Sequence, residues 1–364
     1  MKLKILEVPA TKNPIQPAPG FAKKELATFK LDIMQLCGFG CLYCSTNATT
    51  PMRVNRKAWA DLAETTLGER LYPDSSPELT MLWPDVLTKL EAQVRQHERT
   101  SRGRGKPPWG TGHTLVFSML TDGFSPVLVG NGTTEAALKL VLDHTGFRIR
   151  VLTKNAVVGS EKWVRLFQAY PGRFVVGLSC GTQDGAWASK IEIGTSSPHA
   201  RIEALHALQD AGVPTFGMLC PVFPDVLGNM GLETLIALIR PHLCETVWAE
   251  PFNDRANWER VREGYTPGSD GWIWLTDVYG DGFKRSRWSA YATQLYLRLL
   301  THAERFGWAS KLRYLLYEDG IVAQDAPRFA GLRGVLLQSK PAKDGRSANT
   351  HVAALQAPVT PIAS

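Results

Sequence analysis

Three cysteines, Cys37, Cys41 and Cys44, crowd the segment LCGFGCLYCS in a C-x3-C-x2-C spacing. Thiolates gathered so closely hold soft metals. A structural zinc site takes four protein ligands, and here nothing completes the set: Cys180, Cys220 and Cys244 are isolated, and no histidine falls within the motif. An iron-sulfur cube is ordinarily held by four thiolates. Three leave one iron without a protein ligand, and an open metal position points to catalysis rather than structure.

The elements that must position these thiols follow from the pattern around them. From about residue 27, short apolar runs alternate with helical stretches: FKLDIM before the cysteine loop, then HTLVFSML, FRIRVLTKN, RFVVGLSC, VPTFGMLCPVFP and ETVWAEPFND, each separated from the next by a helical segment or loop. Such alternation predicts repeated βα units and a parallel sheet in an α/β fold, closed as a partial (β/α)6 barrel of TIM type. Reactive residues recur where these strands end: the three cysteines, Thr121 and Asp122, Lys154, Ser179 and Cys180, Cys220, and Glu250. In a parallel barrel that rim is where chemistry collects. The predicted organisation is an N-terminal extension over 1–27, the barrel over 28–255 with an insertion at 50–112, and a C-terminal α+β extension over 256–338. The insertion carries one amphipathic helix starting after Pro84, and the small, polar, Pro-bearing residues 339–364 read as a disordered tail.

With 364 residues, 44% of them hydrophobic, the chain can bury a large core. Six cysteines, half of them in one motif, are not a secreted disulfide framework, so a reducing, cytoplasmic location is expected. No apolar run reaches the ~18 residues of a membrane span, and no membrane association is expected. A net charge of +7 favours a polyanionic partner without requiring one. Two local clusters sharpen that reading: Arg102, Arg104 and Lys106 near Trp109, and Lys284, Arg285 and Arg287 beside Trp288. Basic groups neutralise phosphates and aromatics stack on bases, although a solvated loop and a charged helix start explain the clusters equally well.

The cysteine spacing at the end of the first strand resembles the signature of the radical S-adenosylmethionine (radical SAM) superfamily. The segments SMLTDGFSPV, RVLTKN, GLSC and IEIGTSSPHARIEALHALQDAGVPTFGMLCPVFP, in that order, are similar to the spore photoproduct lyase family over roughly residues 28 to 255. The resemblance implies a 4Fe-4S cluster on Cys37, Cys41 and Cys44, S-adenosylmethionine on the open iron, and an electron donor of flavodoxin or ferredoxin type. It further implies that Tyr43 packs on the adenine, that Thr121 and Asp122 lie near the amino acid end, and that Lys154 pairs with the carboxylate. Ser179 is implied at the ribose or carboxylate side, and a backbone group of Cys220 at the adenine. Each has a plainer alternative: Tyr43 a core aromatic, Lys154 a solvated rim lysine, Ser179 a strand-end hydroxyl, Asp122 a turn cap.

One departure matters. Where the spore lyase carries a hydrogen-donating cysteine before its "TD"-like segment, this chain has Met119, whose thioether has no S–H. Cys180 and Cys220 are the candidate replacement donors, each with the plainer alternative of a small buried hydrophobe. The leading expectation is an enzyme that cleaves S-adenosylmethionine reductively to a 5′-deoxyadenosyl radical and abstracts hydrogen from a nucleic acid or modified nucleobase, in base modification, rearrangement or photoproduct-type repair. The alternatives are a radical SAM enzyme acting on a small molecule or peptide, and a non-enzymatic nucleic-acid-binding protein carrying a cluster or zinc. Nothing in the sequence fixes the oligomeric state.

Overall fold

A computed structural model describes residues 3–10, 12–118, 120–228, 230–254 and 256–337. Met119 and the tail at 339–364 lie outside the described residues.

Twelve strands occur among the described residues. The first six are β1 (Lys4–Glu7), β2 (Ile15–Pro17), β3 (Phe29–Leu31), β4 (Met34–Cys37), β5 (Leu79–Leu82) and β6 (Thr114–Phe117). The rest are β7 (Arg148–Thr153), β8 (Phe174–Leu178), β9 (Thr215–Val222), β10 (Cys244–Pro251), β11 (Leu312–Tyr317) and β12 (Gly334–Leu337). From β3 through β6 to β12 the strands lie side by side in chain order, every neighbouring pair parallel, and β2 joins antiparallel at the β3 edge. Helices Thr133–His144, Glu161–Ala169, Pro198–Asp210 and Gly231–Leu238 make the crossovers. Parallel strands covered on both faces read as unbroken apolar runs, and every residue of β8, FVVGL, is buried. Ser197 starts the helix Pro198–Asp210 by accepting from the Ala200 amide, with Pro198 in the first turn, where its missing N–H costs nothing.

Two features go beyond the sequence pattern. The run FKLDIM divides: β3 stays in the main sheet, while β4 leaves it and pairs antiparallel with β5, which pairs in turn with β1. This three-stranded sheet carries Cys37 at its edge. The insertion therefore contributes a strand, and its helix Val86–Gly103 begins just after Pro84 and Asp85. Past Asp254, β11 and β12 continue the main sheet in parallel beside β10, with helix Arg285–Arg305 between β10 and β11. No helix among the described residues is long and apolar enough to cross a membrane.

Candidate active site

The cysteine loop begins where β4 ends. Gly38 and Gly40 sit at φ of +68° and +61°, in the left-handed region that side chains disfavour. A Cβ on Gly38 would come to 2.0 Å from Thr80 Oγ1, and one on Gly40 to 2.5 Å from Pro77 Cβ. Only glycine lets the loop fold this tightly against the insertion. The loop then docks on residues 191–194: the Leu42 amide donates to Ile191 O at 2.9 Å, the Gly194 amide to Phe39 O at 2.8 Å, and Cys41 forms a β-bridge with Glu192. Cys44 opens the short turn Ser45–Ala48.

Cys37, Cys41 and Cys44 line a cavity of about 480 Å³ at the edge where the parallel strands end. Tyr43, Thr121, Asp122, Lys154, Ser179 and Cys220 line the same cavity. Cys180 does not: it is fully buried, because successive strand-end residues face opposite ways and Ser179 takes the cavity side. Cys180 is therefore the one sequence candidate that the structure leaves behind the wall.

The polar groups form two linked networks. Asp122 accepts from the Phe124 amide at 2.9 Å, Thr153 Oγ1 at 2.8 Å and the Lys154 amide at 2.8 Å. The carboxylate thus caps its own turn and ties the end of β7 to it, the plainer of the two roles read for it. Burial pushes its acid up against these donors. In the second network Glu192 and Arg201 are both buried; Arg201 Nη2 and the Tyr43 hydroxyl donate to Glu192, and Arg201 Nη1 donates to Ser179 O at 2.6 Å. Lys154 Nζ reaches Ser179 Oγ at 3.1 Å, lies 3.9 Å from Glu192 Oε1, and sits 5.4 Å from the Tyr43 ring centre. Lys154 is thus no solvated rim lysine. Burial alone would raise the Glu192 acid, but Arg201 and Lys154 outweigh it and hold the carboxyl below its ordinary range. Glu192 and Arg201 both lie in the segment IEIGTSSPHARIEALHALQDAG quoted above, whose sequence gives no sign that they pair.

Thiol chemistry separates the three loop cysteines from the fourth in the cavity. Burial pushes Cys37 up to about 12 and Cys41 well above its ordinary value, and proximity to Cys44 adds to the rise at both. Cys220 is also raised by burial, but its neighbours are Glu250, Lys154 and Lys24, and its thiol donates to Glu250 Oε2 at 3.2 Å. Neutral buried thiols become ligands only where a metal draws off their protons. Among the described residues no three His, Cys, Asp or Glu side chains converge on a single-ion site, whereas the corners of a cube lie further apart than ligands on one ion. Thr121 Oγ1 is buried on the cavity wall with no hydrogen-bond partner among the described residues, as befits a hydroxyl whose partner is a ligand. The donor set and this orphaned hydroxyl fit a cluster with a polar small molecule beside it.

The two basic clusters lie at opposite edges of the sheet. Trp109, after Arg102, Arg104 and Lys106, packs on Phe29 and Phe147, where β3 and β7 begin. Arg285 instead donates to Ile321 O, just past the end of β11, on the cavity's edge.

No family model matches the chain, and no curated protein does. Among solved structures the chain is similar to a tyrosine-to-phenylalanine mutant of spore photoproduct lyase, at 14% identity over 85% of this chain and 81% of that one, with a TM-score of 0.52. Spore photoproduct lyase complexed with dinucleoside spore photoproduct is similar at 15% identity, 73% and 67% coverage and a TM-score of 0.44. Native anSMEcpe with bound AdoMet follows at 14%, 60% and 52%, and 0.37. The first of these carries the fold: the chain has the α/β fold of spore photoproduct lyase, the fold class that its strand-end segments predict.

Proposed function

We propose that the chain is a radical SAM enzyme whose sheet curves as a partial barrel around the cavity, and whose substrate is a nucleic acid or a modified nucleobase. The observation that carries this reading is the convergence of the C-x3-C-x2-C thiols with Lys154, Ser179 and Thr121 on one cavity. Cys37, Cys41 and Cys44 would hold a 4Fe-4S cluster with S-adenosylmethionine beside it. Together these groups supply, when bound, a 5′-deoxyadenosyl radical able to take hydrogen from an unreactive carbon.

The chain's own residues do the rest. Lys154, buried and fixed by Ser179, offers a cation to a carboxylate. Glu192, locked by Arg201, holds Tyr43 and, through the Cys41 bridge, the loop itself. Cys220 is the cavity's S–H group outside the loop trio and the better placed of the two candidate hydrogen donors; Cys180 is walled off. Of the basic clusters, Lys284 to Arg287 is the one at the edge where β11 ends, although Lys284 and Arg287 both pair with Asp277 and Arg285 donates to Ile321 O. The cavity of about 480 Å³ would also hold the cluster and S-adenosylmethionine, so its size suits a small group and does not by itself separate a single extruded base from the second reading, a small-molecule or peptide substrate.

The test is mass spectrometry of anaerobic reactions of the full chain with deuterated single-stranded DNA, double-stranded DNA, RNA and nucleosides. Deuterium in 5′-deoxyadenosine from a nucleic acid or nucleoside supports the proposal. Transfer only from unrelated small molecules or peptides would favour the runner-up.

A further inference from the structure

Part of the cavity wall is built, besides Glu250, by residues that the sequence pattern did not single out. Phe21 and Lys24 come from the N-terminal segment, which is pinned to the sheet where Trp248 Nε1 donates to Lys24 O at 3.0 Å and Arg150 Nε to Leu26 O at 2.7 Å. Glu250 lies on β10, Asn253 just beyond its end, and Tyr317 ends β11; all five line the cavity.

Their chemistry is specific. Glu250 Oε2 accepts from the Cys220 thiol at 3.2 Å and Oε1 from the Tyr317 hydroxyl at 2.9 Å. The carboxylate is oriented, yet each oxygen keeps acceptor capacity for an N–H from a ligand. Lys154 is oriented by Ser179 and Glu192 and, in the reading above, already serves the carboxylate of S-adenosylmethionine. Lys24, by contrast, has no carboxylate within ion-pair reach among the described residues, and the Asn253 amide has no hydrogen-bond partner among them. A spare cation calls for an anion, and a primary amide matches the adjacent N–H and C=O of a base edge. Phe21 adds a partly exposed ring on which a flat heterocycle can lie.

We infer that this wall is a subsite for one nucleobase carrying a phosphate, with Lys24 on the phosphate, Asn253 and Glu250 on the base edge, and Phe21 on its face. The inference rests on the nucleobase reading above and sharpens it. A duplex cannot enter a cavity of about 480 Å³, so a base in nucleic acid reaches this wall only when extruded or in single-stranded form.

Equilibrium binding of the full chain to the four deoxynucleoside 5′-monophosphates and their nucleosides tests this. At least one monophosphate is expected to bind about 10-fold more tightly than its nucleoside. Lys24→Met, with Lys24→Gln as a second variant, should remove that difference while leaving nucleoside affinity in place; Asn253→Leu should weaken both ligands. A preference for phosphate that survives both Lys24 variants overturns the inference, as does the absence of nucleotide binding or the tight binding of free amino acids instead. Iron and sulfide are measured on the same preparations. Residue-dependent nucleotide binding without a cluster would sink the radical reading and leave the subsite standing; a cluster without nucleotide binding would do the reverse.

Discussion

Removing Arg201 is the sharpest test of how the cysteine loop is held. Its side chain is 0% exposed and that of Glu192 only 3%, so the pair is shielded from water and salt. An exposed ion pair contributes ~0–1 kcal/mol, but deleting one partner of a buried pair strands the other charge and costs about 3–5 kcal/mol. Arg201→Met keeps the bulk and deletes the charge, leaving Glu192 to Lys154 at 3.9 Å and to Tyr43. With an unfolding entropy of roughly 2.1 cal/mol/K per residue, 364 residues convert that loss to a fall in Tm of about 4–7 °C. The pH dependence has a definite sign. Because Arg201 and Lys154 depress the Glu192 acid, the stability it contributes is present above its unfolded value and is lost as pH falls through the lower folded one. The gap between wild type and Arg201→Met should therefore be full at pH 7 and should narrow below about pH 4. Urea unfolding at several pH values, with a double-mutant cycle including Glu192→Gln, reads this out. A loss under about 1 kcal/mol at pH 7, or a gap that does not change with acid, would refute the reasoning.

Gly38→Ala places a Cβ at 2.0 Å from Thr80 Oγ1 at a φ of +68°; it should cost about 1–3 kcal/mol and lower the iron retained after reconstitution, whereas Gly68→Ala, also at positive φ but open on all sides, should leave iron content unchanged. Cys180 and Cys244 are both pushed up to about 11 by burial, so at pH 8 they remain thiols and should resist iodoacetamide in the native protein; rapid labelling of either, mapped by peptide mass spectrometry, would contradict the packing around β8 and β10.

Much of this was legible in the sequence. The alternation of apolar runs and amphipathic stretches marks six parallel strands from β3 to β10 because runs of about four to eight apolar residues, too short for a helix and bounded by turn residues, stack as βα units, and the residues at their ends share one cavity because parallel strands all end on one edge. What was hidden depends on contacts distant in the chain. β1 and β5 are four residues each and acquire meaning only by pairing across more than seventy positions. Phe21 and Lys24 carry no motif and reach the cavity only because Trp248 and Arg150 hold the N-terminal segment down. Cys180 looked equivalent to Ser179 until strand alternation turned it inward. The cluster at Arg102 looked equivalent to the cluster at Lys284, yet one closes the helix Val86–Gly103 ahead of β6 and the other lies between β10 and β11, and that places them on opposite edges.

The central proposal is that three loop cysteines, and no fourth side chain, anchor a cluster whose free iron faces the cavity. Anaerobic reconstitution of the full chain, with iron and sulfide counted and 5′-deoxyadenosine measured after chemical reduction of the cluster by dithionite in the presence of S-adenosylmethionine, tests it directly. The expected result is about four iron and four sulfide per chain and release of deoxyadenosine, both lost in Cys41→Ala and the cluster retained in Cys220→Ala. Zinc in place of iron, or a cluster that Cys41→Ala leaves intact, would contradict it.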